Sequence, residues 1–132
     1  MFRRKHLPAA LEPAYAAFIA TVEPLERGKA ALTESVPGSR LPGRPLAETL
    51  LEFEDSLREA GELMPGWRVA EVEEEWRAAD AAVGACRSMS ERLRLEAEVP
   101  EGFEALIGTI GDLMAPLDAF GAVEERFRAL RR

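Results

Sequence analysis

Thirty consecutive residues, Val69 to Glu98, contain no proline and a single glycine, Gly84. The stretch reads as one long helix. Taken in sevens from Val69, its inward positions are Val69, Val72, Trp76, Ala79, Val83, Cys86, Ser90, Leu93 and Ala97. All but Ser90 are apolar or small, and the 3-4-3-4 spacing is what a helix packed lengthwise against partner helices requires. At 1.5 Å per residue it would be roughly 45 Å long. A helix of that length spans a bundle from end to end, and the rest of the chain has to pack around it.

The segments on either side repeat the same period. Residues 8 to 34 carry Leu11, Tyr15, Phe18, Val22, Leu25 and Leu32, with Lys29 in the missing slot and Ala14 and Ile19 widening the stripe. Pro13 is harmless near a helix start. Pro24 removes a hydrogen bond to the Ala20 carbonyl and predicts a kink. From about Pro45 to Leu63 the stripe is Leu46, Leu50, Phe53, Leu57, Ala60 and Met64. After Val99-Pro100-Glu101-Gly102, a last pattern runs Phe103, Leu106, Ile110, Leu113, Leu117, Phe120, Phe127 and Leu130. Pro116 predicts a second kink, and Gly108, Gly111 and Gly121 each weaken this helix by roughly 1 kcal/mol relative to alanine.

Between these elements lie turn signals. Ser35 to Pro45 holds three prolines and two glycines, and its two Pro-Gly pairs suit type II turns. Met64-Pro65-Gly66-Trp67 is a tight helix-to-helix connection, so the helices it joins are expected to be antiparallel neighbours. No stretch alternates like a strand. The expectation is an all-α, single-domain, antiparallel four-helix bundle of up-down-up-down topology over residues 1–132, with 1–7 and 131–132 frayed and the first and last helices kinked at Pro24 and Pro116.

Small residues crowd the middle of the long helix: Ala78, Ala79, Ala81, Ala82, Gly84 and Ala85 around Val83. They would admit a close backbone, or large side chains such as Phe18, Phe53, Phe103 and Phe120. If unfilled, the same centre is a ligand cavity lined by Trp76, Val83 and Cys86.

Charge limits the function. The net charge is -7, which opposes binding to nucleic acid or to an anionic membrane. Basic residues gather at the two ends (Arg3, Arg4, Lys5; Arg126, Arg128, Arg131, Arg132) and leave an acidic body between them. These ends can pair with that body, with a neighbouring copy, or simply be solvated. One cysteine excludes an intramolecular disulfide framework and fits a reducing compartment. Pro8, Glu12 and Pro13 spoil a signal peptide, and no uncharged apolar run approaches a membrane span, so a cytoplasmic setting is expected. Arginine outnumbers lysine 15 to 2, as in GC-rich bacterial coding.

Chemistry finds little purchase. In the acidic run Glu71 to Glu75, register turns Glu71, Glu74 and Glu75 to water and puts Glu73 at best on the seam, and the lone His6 cannot complete a bundle metal site. Helix-start carboxylates are explained by the helix dipole. Cys86 has no partner base and reads as a structural thiol. Trp76 takes a core slot, while Trp67 caps the bundle end or joins an interface. Arg40 and Arg44 on the Pro-Gly loop suit an anion, loop solubility, or pairing with the acidic body. No phosphate-loop, dinucleotide or hydrolase motif is present.

No cofactor or metal is implied, and the expected function is non-enzymatic. The leading expectation is a bundle that acts through protein–protein contacts, as a homodimer or with another protein. The second helix is shorter than the third, which should leave Leu93, Leu95 and the facing part of the fourth helix exposed as an interface. Binding of a small apolar ligand is the alternative.

Overall fold

A computed structural model describes residues 4–96 and 100–132. Its helices are α1 (Glu12–Thr33), α2 (Leu46–Leu63), α3 (Glu73–Glu96), α4 (Phe103–Met114) and α5 (Ala119–Ala129). Short 3₁₀ turns occupy Ala9–Leu11, Met64–Trp67, Ala70–Val72 and Ala115–Asp118. The chain is all-helical, and α4 and α5 together form the fourth rod of an antiparallel bundle.

Named pairs fix the register. Antiparallel α1 and α2 bring Arg27 to Glu59 and Gly28 to Ser56. Ser90 and Arg94 of α3 meet Glu54 of α2, while Trp76 near the start of α3 bonds the Met64 carbonyl. Cys86 reaches Leu113, and Arg126 reaches the Glu71 carbonyl. Tyr15 and Phe18 of α1 stack near Phe127 and Phe120 of α5, closing the ring of four. The α1–α2 seam is the most extensive, whereas α4 touches both neighbours sparingly.

The heptad of the long helix holds: Val72, Trp76, Ala79, Val83, Cys86 and Ser90 are all buried. Its start does not hold. Val69 is extended (φ -122°, ψ 155°), a 3₁₀ turn follows, and the α-helix begins at Glu73. Ala97 and Glu98 fall outside the described residues. Of the small residues around Val83, only Ala79 and Ala82 are buried, while Ala78, Ala81, Gly84 and Ala85 face water. Their effect there is helix propensity rather than close packing.

The close approach is elsewhere. A Cβ on Gly28 would lie 2.8 Å from the Ser56 Cβ and 3.2 Å from Phe53 Cδ1, so α1 and α2 meet where α1 lacks a side chain. This turns the buried face of α1 toward α2. Ala14, Thr21, Gly28 and Ala31 join Phe18, Leu25 and Leu32 in the core, and Tyr15 and Val22 are only half-buried. Ile19, expected to widen the stripe, is exposed. Burial of each large core side chain contributes about 1.5–3 kcal/mol.

Pro24 sits inside α1, buried, and the helix runs through it without a break. At Pro116 regular α-helix does give way, to the 3₁₀ turn Ala115–Asp118. Neither Pro-Gly pair of the 34–45 loop forms a type II turn, since Gly102 is the described glycine with positive φ (89°), immediately before α4. Gly43 is needed for another reason: an added Cβ would strike the Ser35 carbonyl. Trp67 is fully buried at the bundle end, its indole N–H donating to Thr21 Oγ1 at 3.1 Å. Residues 6 and 132, expected to fray, exchange two backbone hydrogen bonds of 2.9 and 2.8 Å.

The core is chemically lopsided. Phe18, Trp67, Trp76, Phe120 and Phe127 crowd the end where residues 6 and 132 meet, and Leu32, Leu50, Phe53, Leu57, Ile110 and Leu113 fill the other. The stretch Phe103–Ala129 is long and apolar enough, by length and composition, to cross a membrane; it carries Asp112 and Asp118, and 28% of its most apolar window is buried in the bundle.

Candidate functional site

Trp76, Val83 and Cys86 all point into the core. The Trp76 indole donates to the Met64 carbonyl at 2.8 Å, and the guanidinium of Arg68 covers its ring at 4.1 Å. The Cys86 thiol donates to the Leu113 carbonyl at 3.1 Å. Burial pushes this thiol up from the ordinary 9.0 to about 11, so it stays protonated and is a poor nucleophile near neutral pH.

Two grooves flank the fourth rod, and neither is lined by those three residues. One, of about 380 Å³, runs between α1 and α5 over Phe18, Val22, Leu25, Leu117 and Phe120, rimmed by Lys29 and Glu124. The other, of about 270 Å³, lies between α3 and α4 over Met89, Leu93 and Leu113, with Arg92 and Asp112 at its edge. Leu93 lines this second groove and is half-buried. Leu95, two residues on, is 71% exposed and stands outside it. Phe103 and Ile107 at the start of α4 are also exposed, at 55% and 45%. Phe103 occupies a core phase of the helix but lies near the bundle end, where the described chain places little over it.

Arg40 is exposed on the 34–45 loop. Arg44 is committed to the protein itself: its Nη1 bonds Glu34, and its Nη2 bonds Glu48 at 2.6 Å and Glu52 at 2.5 Å. Those three carboxylates raise the Arg44 pKa, and Arg44 in turn lowers that of Glu52. The guanidinium that suited an anion from sequence thus takes its anions from α1 and α2, the pairing with the acidic body. Within the acidic run, Glu73 is engaged by the protein itself: it accepts from Arg68 at 2.9 Å and from Arg77 at 2.9 Å, which holds its carboxyl below the usual range. Among the described residues no group of His, Cys, Asp or Glu side chains is arranged to hold a metal.

Glu54 is the site residue that local spacing conceals. A pairing with Arg58 one turn away is available, yet Arg58 turns to Asp55 and Glu62. Glu54, 9% exposed, accepts from Ser90 Oγ at 2.9 Å and from both nitrogens of an Arg94 fork. Ser90 was the one signal: a polar residue in an inward slot has to find a buried partner. Among the described residues no buried side-chain nitrogen or oxygen lacks one.

No protein-family model, curated protein or solved structure matches the chain.

Proposed function

We propose that this chain is a non-enzymatic helical bundle that acts through protein–protein contacts and associates with a second copy of itself. One observation carries the reading. Among the described residues, five of the seven exposed large apolar side chains lie in the half of the bundle away from residues 6 and 132: Leu41 on the loop, Leu51 on α2, Leu95 on α3, and Phe103 and Ile107 on α4, with Ile19 and Leu63 outside it. Solvent-facing apolar groups in one region mark an interface more often than a bare surface. The sparse packing of α4 against its neighbours leaves that helix with apolar area to share.

Sedimentation velocity tests this. The wild-type chain is expected to sediment as a dimer at tens of micromolar, and Phe103→Glu with Ile107→Glu as a folded monomer. A wild-type monomer at millimolar concentration would sink the reading.

A second reading, binding of a small apolar ligand, is supported by the groove over Phe18, Val22, Leu25, Leu117 and Phe120, whose size falls at the low end for small-molecule sites. Neither groove beside the fourth rod is lined by Trp76, Val83 or Cys86, so the centre of α3 lends it no support. Val22→Gln in the groove should abolish any thermal shift produced by an apolar probe.

A further inference from the structure

The two basic ends of the sequence meet in space. The His6–Arg132 backbone pairing ties residues 4–7 across the end of α5 and places Arg4, Lys5 and Arg131 around one concavity of about 380 Å³, with Tyr15 in its wall. Over most of the surface, basic side chains are matched: Arg27, Arg44, Arg58, Arg68 and Arg77 each lie against a carboxylate. Among the described residues, Arg4, Lys5, Arg131 and Arg132 form no such ion pair. Arg40, Arg92 and Arg126 also lie outside the ion pairs and away from this concavity, but nowhere else among the described residues do three unmatched basic side chains line one space. The wall is also anchored. The Tyr15 hydroxyl donates to Glu124 at 3.0 Å, and the Arg131 guanidinium sits over the Tyr15 ring at 5.9 Å. Glu12 is the single acid lining the space.

We infer that this concavity binds a small phosphate-bearing anion. Arg4 and Arg131 offer forked donors that match phosphate oxygens, and Lys5 adds a point charge. The size suits a compact ligand, with Leu7 and Tyr15 available to an attached apolar or ring group. Extended polyanions are disfavoured by what surrounds it. Glu71, Glu73, Glu74 and Glu75 occupy the same end of the bundle, and the chain carries -7 overall. A duplex or an anionic bilayer has to approach those carboxylates, whereas a compact anion inside the concavity does not. The inference stands apart from self-association, which was placed on the opposite half of the bundle.

The test is an NMR titration of the ¹⁵N-labelled chain with inorganic pyrophosphate in phosphate-free, low-salt buffer. Parallel titrations use short duplex DNA and vesicles containing anionic phospholipid. Saturable shifts are expected at the amides of Leu7, Tyr15 and Arg131. Arg131→Gln, and separately Arg4→Gln with Lys5→Gln, should weaken binding by about tenfold or more, each lost fork or charge removing one or two charge-assisted bonds. Arg92→Gln, at the α3–α4 groove, should leave it unchanged. The Arg4/Lys5 pair precedes the first helix, so its effect is separable from folding. Absence of saturable shifts, shifts that map elsewhere, or undiminished binding by both variants would overturn the site. Tighter binding of DNA or vesicles than of pyrophosphate would overturn the ligand class.

Discussion

The Arg94 guanidinium of α3 lies against the Glu54 carboxylate of α2, with Nη2 2.8 Å from Oε1 and Nε 3.0 Å from Oε2. The second oxygen also accepts from Ser90, so the carboxylate is fully engaged in a place where water barely reaches it.

Breaking that pair on one side should cost more than removing it. Arg94→Met leaves a buried carboxylate with Ser90 alone, and a loss of roughly 2 kcal/mol is expected, reduced from the fully buried case because Arg94 itself is partly solvated. A double replacement, Glu54→Leu with Arg94→Met, should recover part of the loss. Urea unfolding of the two single variants and the double variant measures this as a coupling energy. Strict additivity would show that the pair is not energetically linked.

Two glycines on helices should respond oppositely to alanine. At Gly28 the new methyl meets Ser56 and Phe53, so Gly28→Ala is expected to destabilise by about 1–3 kcal/mol despite its helix propensity. Nothing lies within 4 Å of a Cβ at Gly84, and Gly84→Ala should stabilise by up to about 1 kcal/mol. Thermal melts of both variants decide the matter, and a destabilising Gly84→Ala would refute the open geometry of that face.

Cys86 supplies an alkaline transition. Its folded pKa is raised by burial above the unfolded value, so its stabilising share is present below about pH 9 and is lost as pH rises through about 11. The displacement corresponds to a loss on the order of 2 kcal/mol. Stability followed from pH 8 to 11 should fall less steeply in Cys86→Ser than in the parent chain. At neutral pH the native thiol should resist an aromatic disulfide reagent until the chain is unfolded, and prompt labelling of native protein would contradict its burial.

The parts of this fold that sequence revealed were those written at helical spacing. The stripe of α2 from Leu50 to Met64 and the inward positions of α3 from Val72 to Ser90 depend only on where residues fall around one helix, and the structure buries them as expected, with Leu46 half-buried at the start of α2. Among pairs one turn apart, which spacing alone makes legible, Arg58 with Glu62 and Glu73 with Arg77 form, and Glu54 with Arg58 does not. Glu54 with Arg94 was not legible, because the partners are forty residues apart and their meeting depends on how α2 and α3 are offset. Small residues misled in a similar way. Alanines in α3 and a glycine in α1 look alike on paper, and only the crossing of α1 with α2 selects Gly28 as the contact. The Pro-Gly pairs promised turns with positive φ, but the loop between α1 and α2 is held by the Ser35–Thr49 side-chain bond and by Arg44 N–H donating to the Glu34 carbonyl, which leave those glycines in ordinary conformations. As for candidate sites, single residues could be named, but grooves between rods could not, since a groove is made by what two helices fail to fill.

The unequal seams of the bundle imply an order of assembly. The α1–α2 hairpin has the most extensive packing and joins elements adjacent in sequence, so it is suited to form early. The α4 rod leans on α1 and α3 sparingly, carries Gly108 and Gly111, and keeps two large apolar groups in water. It should dock last and open first. Native-state hydrogen exchange would then register two tiers, with α4 amides exchanging through a low-energy opening while the α1–α2 amides wait for global unfolding. A second copy seated on Phe103 and Ile107 would erase the lower tier, making slowed exchange in α4 a direct reporter of association.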